Sequence, residues 1–116
     1  MSNVYQKEAY KFAAYGGNVE YPFLALGEEV GEVLGKLAKF VRKNDVSVQD
    51  AIGQVYLDWN DELRADLIAE LGDVMWQLAA CCTELGIPLE EVQETNIAKL
   101  QDRKDRGTIV GEGDKR

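Results

Sequence analysis

The sequence has no histidine. That absence excludes Ser-His-Asp and Cys-His catalysis and removes the usual ligands of zinc and iron. Cysteine is nearly as scarce: Cys81 and Cys82 are adjacent, match no metal-ligand spacing, and are expected as buried thiols of a reducing compartment. A metal site must then be built from oxygen, which favours magnesium or manganese. Cations are in deficit, with Lys and Arg at 13 against 21 Asp and Glu, a formal charge of −8. A nucleic-acid polymer is therefore not expected as a ligand, because such binding rests on surplus positive charge. No apolar run approaches the roughly 18 residues of a membrane span, and the N-terminal MSNVYQKEAYK lacks the apolar stretch of a signal peptide. A cytoplasmic protein without a membrane partner is expected.

What remains is a chain of 116 residues, long enough to bury one core unaided. It is expected to form a single domain over 1–116. Glycine and the two prolines punctuate helices. Tyr5, Ala9, Phe12 and Ala13 predict a helix over 3–15, ended by Gly16-Gly17. Pro22 suits the first turn of a second helix running to about Lys43, with Phe23, Leu26, Val30, Val33, Leu37 and Val41 as its apolar stripe. Ser47 can cap a short helix through Val48, Ala51, Ile52 and Val55. Asn60 opens a long helix whose seam is Leu63, Leu67, Leu71, Val74, Leu78, Cys82 and Leu85, stopped by Gly86. Pro88 opens the last helix, which ends before Gly107; residues 108–116 are expected as a flexible tail. No segment has the strand period. The expected class is all-α: a four-helix bundle with a short extra helix or loop between its two carboxylate-bearing helices.

Those two helices carry the unusual residues. Glu28 and Glu32 share a face at i, i+4 with Glu29 beside them, and Glu70 and Asp73 share one at i, i+3. Solvated faces are one explanation, since Glu62, Asp66, Glu70, Asp73 and Gln77 fit one outward stripe. Two features weigh against it. From Leu67 to Cys82 only Glu70, Asp73 and Gln77 are polar, so that helix is expected to be covered on most sides. In addition, the only cation at i±3 or i±4 from these five acids is Lys36, four residues after Glu32. Carboxylates buried together cannot all stay ionised without a counter-cation, and a hard divalent ion resolves the conflict. Gly27, Gly31 and Gly35 recur every four residues along the same helix, allowing either a close helix crossing or room for a ligand. On the last helix Asn96, Lys99 and Arg103 fall on the side of Leu89 and Leu100. They either snorkel to water or form a basic wall that binds phosphate oxygens.

In order and character these motifs resemble the MazG-type all-α nucleoside triphosphate pyrophosphohydrolases. Glu28-Glu29-Val30-Gly31-Glu32 resembles the family's EExxE signature and Glu70-Leu71-Gly72-Asp73 its ExxD signature. Asn96, Lys99-Leu100 and Arg103 resemble the segment of its last core helix, and Arg106 to Asp114 the RGTxxGxGD ending of its short members. One departure is the spacing: 37 residues separate Glu32 from Glu70, longer than is usual, with the surplus in 44–59. The resemblance implies cleavage of a nucleoside triphosphate between the α and β phosphates, with Glu29, Glu32, Glu70 and Asp73 as magnesium ligands (manganese as a substitute). Glu28 would orient a ligand or the attacking water. Lys99 and Arg103, with Lys36, would hold phosphates; Asn96 and Gln77 would read the base, and Trp76 would stack on it. A homodimer or homotetramer is implied. Two other readings stay open: an acidic helical interaction module, and a family member that binds nucleotide without turnover.

Overall fold

The computed structural model describes residues 4–111. Among them are five helices and no strand: α1 (Val4–Tyr10), α2 (Tyr21–Asn44), α3 (Val48–Tyr56), α4 (Asp61–Glu84) and α5 (Leu89–Asp105). The chain is all-α, as expected, and the extra helix between the carboxylate-bearing helices is α3. No helix of the described residues is long and apolar enough to cross a membrane.

The helix boundaries follow their chemistry. The Ser47 hydroxyl accepts the Asp50 N–H at 3.0 Å, and the Asn60 side-chain oxygen accepts that of Leu63 at 3.0 Å, so α3 and α4 each satisfy one orphan donor of the first turn. The Asn60 amide also donates to Gln54 Oε1 at 3.0 Å, fixing the α3–α4 corner. At the far end of α4, Gly86 takes φ +70°, and the Gly86 and Ile87 N–H groups close the last turn onto Thr83 and Cys82. Gly107 does the same for α5 at φ +71°, where the Thr108 N–H returns to the Arg103 carbonyl at 2.7 Å. Of the expected tail, residues 112–116 lie outside the described residues.

The first helix is shorter than its apolar spacing predicts. It stops at Tyr10 rather than 15, and Phe12 is exposed. The physical reason is tertiary. The Ala9 carbonyl, which would accept from Ala13 in a continued helix, accepts the Phe12 N–H at 3.1 Å and the Trp76 indole N–H at 3.2 Å. Buried Gln6 then pins α1 to the α4–α5 corner, donating to the Ile87 carbonyl and Thr83 Oγ1 and accepting the Leu89 N–H at 2.7 Å.

The principal packing is α2 along α4, antiparallel, with α1 lying on α4 and α3 bridging the pair. Tyr5, Ala79, Cys82 and Leu89 form a small cluster, and both cysteines are buried free thiols. The helix α5 meets α4 sparsely and has no substantial packing on α2. The radius of gyration is 17.2 Å, against about 13 Å for a compact domain of this length. The expected seam of α4 is also only partly internal: Leu63 and Cys82 are buried, whereas Leu71, Leu78 and Leu85 are exposed. The helix is turned so that its polar stripe faces α2. Of the two readings of the α2 glycines, the close crossing is not found among the described residues of one chain, since a Cβ at Gly27, Gly31 or Gly35 would meet nothing within 4 Å; the room for a ligand remains.

Candidate functional site

The acidic stripe of α4, for which a solvated face is one of the two readings of the sequence, runs along the groove between α2 and α4. Asp66, Glu70 and Asp73 are half-buried on it and Gln77 is buried. Across the groove, Glu29 on α2 reaches the same point: ligand oxygens of Glu29, Glu70 and Asp73 lie within 4.8 Å of one another. Glu28 and Glu32 are exposed on the same side of α2 and stand outside that trio. They remain close enough to act on it. Burial first, then the charges of Asp73, Glu28, Glu70 and Glu32, push the Glu29 carboxyl above its ordinary range. Among the described residues the cation paired with the trio is Lys36, whose ammonium is 3.9 Å from Glu70. One lysine at that distance does not neutralise three converging carboxylates. An all-oxygen set of this kind fits a hard divalent cation, held by Glu29, Glu70 and Asp73.

Two cavities flank the trio along the groove. Toward the C-terminal end of α4 is one of about 450 Å³, lined by Ala14, Tyr15, Asn18, Tyr21, Glu29, Trp76, Gln77 and Ala80. Gln77 is 5% exposed, and its amide has no hydrogen bond to another described residue. The amide atoms are not sealed from solvent, so on the cavity wall they offer donor and acceptor positions to a polar guest. The rings of Tyr15 and Tyr21 stack at a centroid distance of 6.1 Å, and the Tyr15 hydroxyl donates to the Glu84 carboxylate. Burial and Glu84 raise the Tyr15 phenol well above its ordinary pKa.

Toward the N-terminal end of α4 is the second cavity, of about 340 Å³, lined by Lys36, Lys39, Phe40, Lys43, Asn44, Asn60, Glu62, Leu63 and Asp66. Of the expected substrate residues, Lys36, Trp76 and Gln77 border these cavities, whereas Asn96, Lys99 and Arg103 line neither. On α5, Asn96 is exposed, Lys99 half-buried and Arg103 buried.

Sequence reasoning missed Tyr5, Tyr15, Asn18, Tyr21, Lys39 and Lys43. Asp73 acts on Tyr5, whose phenol is raised by burial first and by that charge second. Tyr15 and Asn18 belong to the turn that ends the first helical segment, and a turn has no periodicity to mark a binding wall. Lys39 and Lys43 carried a signal, because they repeat Lys36 on one face at i+3 and i+7.

Residues 20–108 match the family model of the MazG nucleotide pyrophosphohydrolase domain. The Gene 37 protein of Mycobacterium phage L5 is 37% identical over 122 residues, an alignment covering 98% of this chain and 97% of the phage protein. No solved structure matches the chain significantly. The matched segment contains both carboxylate-bearing helices and all of α5, so the resemblance of the acidic motifs extends to the helices that present them. The chain belongs to the MazG nucleotide pyrophosphohydrolase family.

Proposed function

We propose that this protein hydrolyses ribo- or deoxynucleoside triphosphates to the monophosphate and pyrophosphate, with magnesium (or manganese) as cofactor, in control or house-cleaning of a cytoplasmic nucleotide pool. The observation that carries this is the position of the carboxylate trio against a cavity walled by Trp76, the Tyr15–Tyr21 pair and the Gln77 amide. One part suits a metal-bound phosphate, the other a nucleobase, and Glu29 is common to both. Glu29, Glu70 and Asp73 hold the ion, with Glu32 reaching in from the next turn of α2 as a fourth ligand. A divalent ion bound there supplies charge neutralisation for the phosphates and a more acidic water.

The chain's own residues account for the rest. Glu28 orients the attacking water, whose oxygen bonds to the α phosphorus. The bridging bond to the β phosphate breaks, its electron pair leaves with pyrophosphate, and the proton passes to solvent. Trp76 and the Tyr15–Tyr21 pair offer ring faces to the base, while Gln77 and Asn18 offer donor and acceptor pairs to its edge. Asn96, Lys99 and Arg103 keep the roles that the resemblance gives them, reading the base and holding phosphates, and act when α5 covers the groove.

We further propose a homodimer or homotetramer of single-domain chains in which the four-helix arrangement is completed between copies. The accessible surface is 8388 Å², against about 6,300 Å² for a compact monomer of this mass. The excess of about 2,000 Å² is of the size that a stable interface covers.

The test is a panel of canonical and modified ribo- and deoxynucleoside triphosphates incubated with magnesium, with products identified. Monophosphate with pyrophosphate is expected, and excess chelator should abolish it. Full turnover in chelator would remove the metal from the mechanism. Tight nucleotide binding without product would make the chain a binder, and neither signal would leave an interaction module.

A further inference from the structure

The groove between α2 and α4 has a third part that the roles given above leave nearly unused. Counting along α2 from Glu29, Lys36, Lys39 and Lys43 lie about 10, 15 and 21 Å further along the axis. All three border the 340 Å³ cavity, on the side of the carboxylate trio away from the Gln77 cavity. Three of the thirteen basic residues of a chain with formal charge −8 thus border one cavity. Glu62 and Asp66 face them from α4. Neither acid forms an ion pair with Lys39 or Lys43, and those two lysines have no ion-pair partner among the described residues. In order along the groove stand an aromatic and amide cavity, a carboxylate trio, and a run of ammonium groups.

We propose that the lysine cavity is a subsite for the leaving phosphates, and that it takes condensed-phosphate leaving groups longer than pyrophosphate. It rests on the triphosphate hydrolysis proposed above for the neighbouring carboxylates. With the base against Gln77 and the α phosphate at the trio, the outer phosphates continue along the groove toward Lys36 and Lys39, which hold them from the α2 side while Lys99 and Arg103 act from α5. Lys43 borders the same cavity a further turn along, past the end of a triphosphate, where the added phosphate of a nucleoside 5′-tetraphosphate would extend. The cleavage is the same in either case. Water adds at the α phosphorus, the α–β bridging bond breaks, and the electron pair leaves with pyrophosphate or with tripolyphosphate, a proton going to solvent.

Two measurements test the subsite. Calorimetric titration of inorganic tripolyphosphate into the wild-type chain and into Lys39→Ala/Lys43→Ala, both in magnesium, needs no turnover. About tenfold weaker binding by the double variant is expected, the loss of one to two charge-assisted contacts, and Lys39→Arg/Lys43→Arg should restore it. Equal affinity of the alanine variant, with its helical content unchanged, would overturn the subsite even if triphosphates are hydrolysed. If they are not, the hydrolase activity fails while the titration still decides the subsite. In the second measurement, Lys43→Ala should lower the ratio of kcat/KM for a nucleoside tetraphosphate to that for the triphosphate. An unchanged ratio would refute the extension to longer leaving groups.

Discussion

Glu70 shows at the level of one residue the charge conflict that a counter-ion would relieve. Its carboxylate converges with those of Glu29 and Asp73 to within 4.8 Å, and among the described residues the ammonium paired with it is that of Lys36, 3.9 Å away. Burial first, and repulsion of this kind second, raise the Glu29 carboxyl above its ordinary range. The sign of its pH effect follows: a carboxyl that holds its proton to higher pH folded than unfolded makes the metal-free protein lose stability as pH rises through that window. Glu70→Gln keeps the shape and removes one charge. Turnover should fall by about a hundredfold or more. The melting temperature of the metal-free protein should rise by about 2 °C at neutral pH, from a few tenths of a kcal/mol of relieved repulsion. Scanning calorimetry of both proteins in chelator across pH 4–8 (about the carboxylate range and above) should show the two curves converging on the acid side. Wild-type turnover in Glu70→Gln would remove Glu70 from the ligand set.

At the level of elements, the sequence was informative where helix chemistry is local. The starts at Ser47 and Asn60 and the stops at Gly86 and Gly107 are written in residue types that satisfy orphan backbone groups, and the structure has them there. The end of α1 was not legible, because the carbonyl that stops it is taken by an indole from position 76. The direction of α4 was half legible. Glu62, Asp66, Glu70, Asp73 and Gln77 do fall on one stripe, but periodicity alone does not say whether a stripe faces water or another acidic helix. The candidate site has the same split: the acidic motifs could be read, and the Tyr15–Asn18–Tyr21 wall could not, since it is assembled from a turn and a helix start. Asn60 tests how much the α3–α4 corner matters. Asn60→Ala removes the cap to Leu63 and the bond to Gln54, and should cost about 1 kcal/mol, or about 5 °C in melting temperature. The lysine cavity that Asn60 borders should loosen with it. An unchanged melting temperature would mean that the corner is held by apolar packing instead.

Taken whole, the molecule turns its polar stripe inward and leaves apolar residues outside. Ile68, Leu71, Met75 and Leu78 recur on α4 at i, i+3, i+7 and i+10, and are 54%, 54%, 46% and 37% exposed. On α2, Val30 and Leu34 are exposed beside Gly27 and Gly31, whose Cβ positions face open space. A sequence shows such a helix as apolar on most sides without saying which side another chain covers. The buried residues, by contrast, are mostly small, and alanine and cysteine supply much of the core. A core of that size with an outward apolar stripe is marginal for a free monomer. Sedimentation equilibrium should therefore find the wild-type chain as a dimer or tetramer at micromolar concentration. Leu71→Asp with Met75→Asp puts two charges into the stripe without touching the groove residues Glu29, Glu70, Asp73 or Gln77. That variant should sediment as a monomer and melt at lower temperature, since burying an unpaired carboxylate costs several kcal/mol and dissociation avoids it. A wild-type chain that sediments as a monomer, or a double variant that still assembles, would show that this stripe is not the interface.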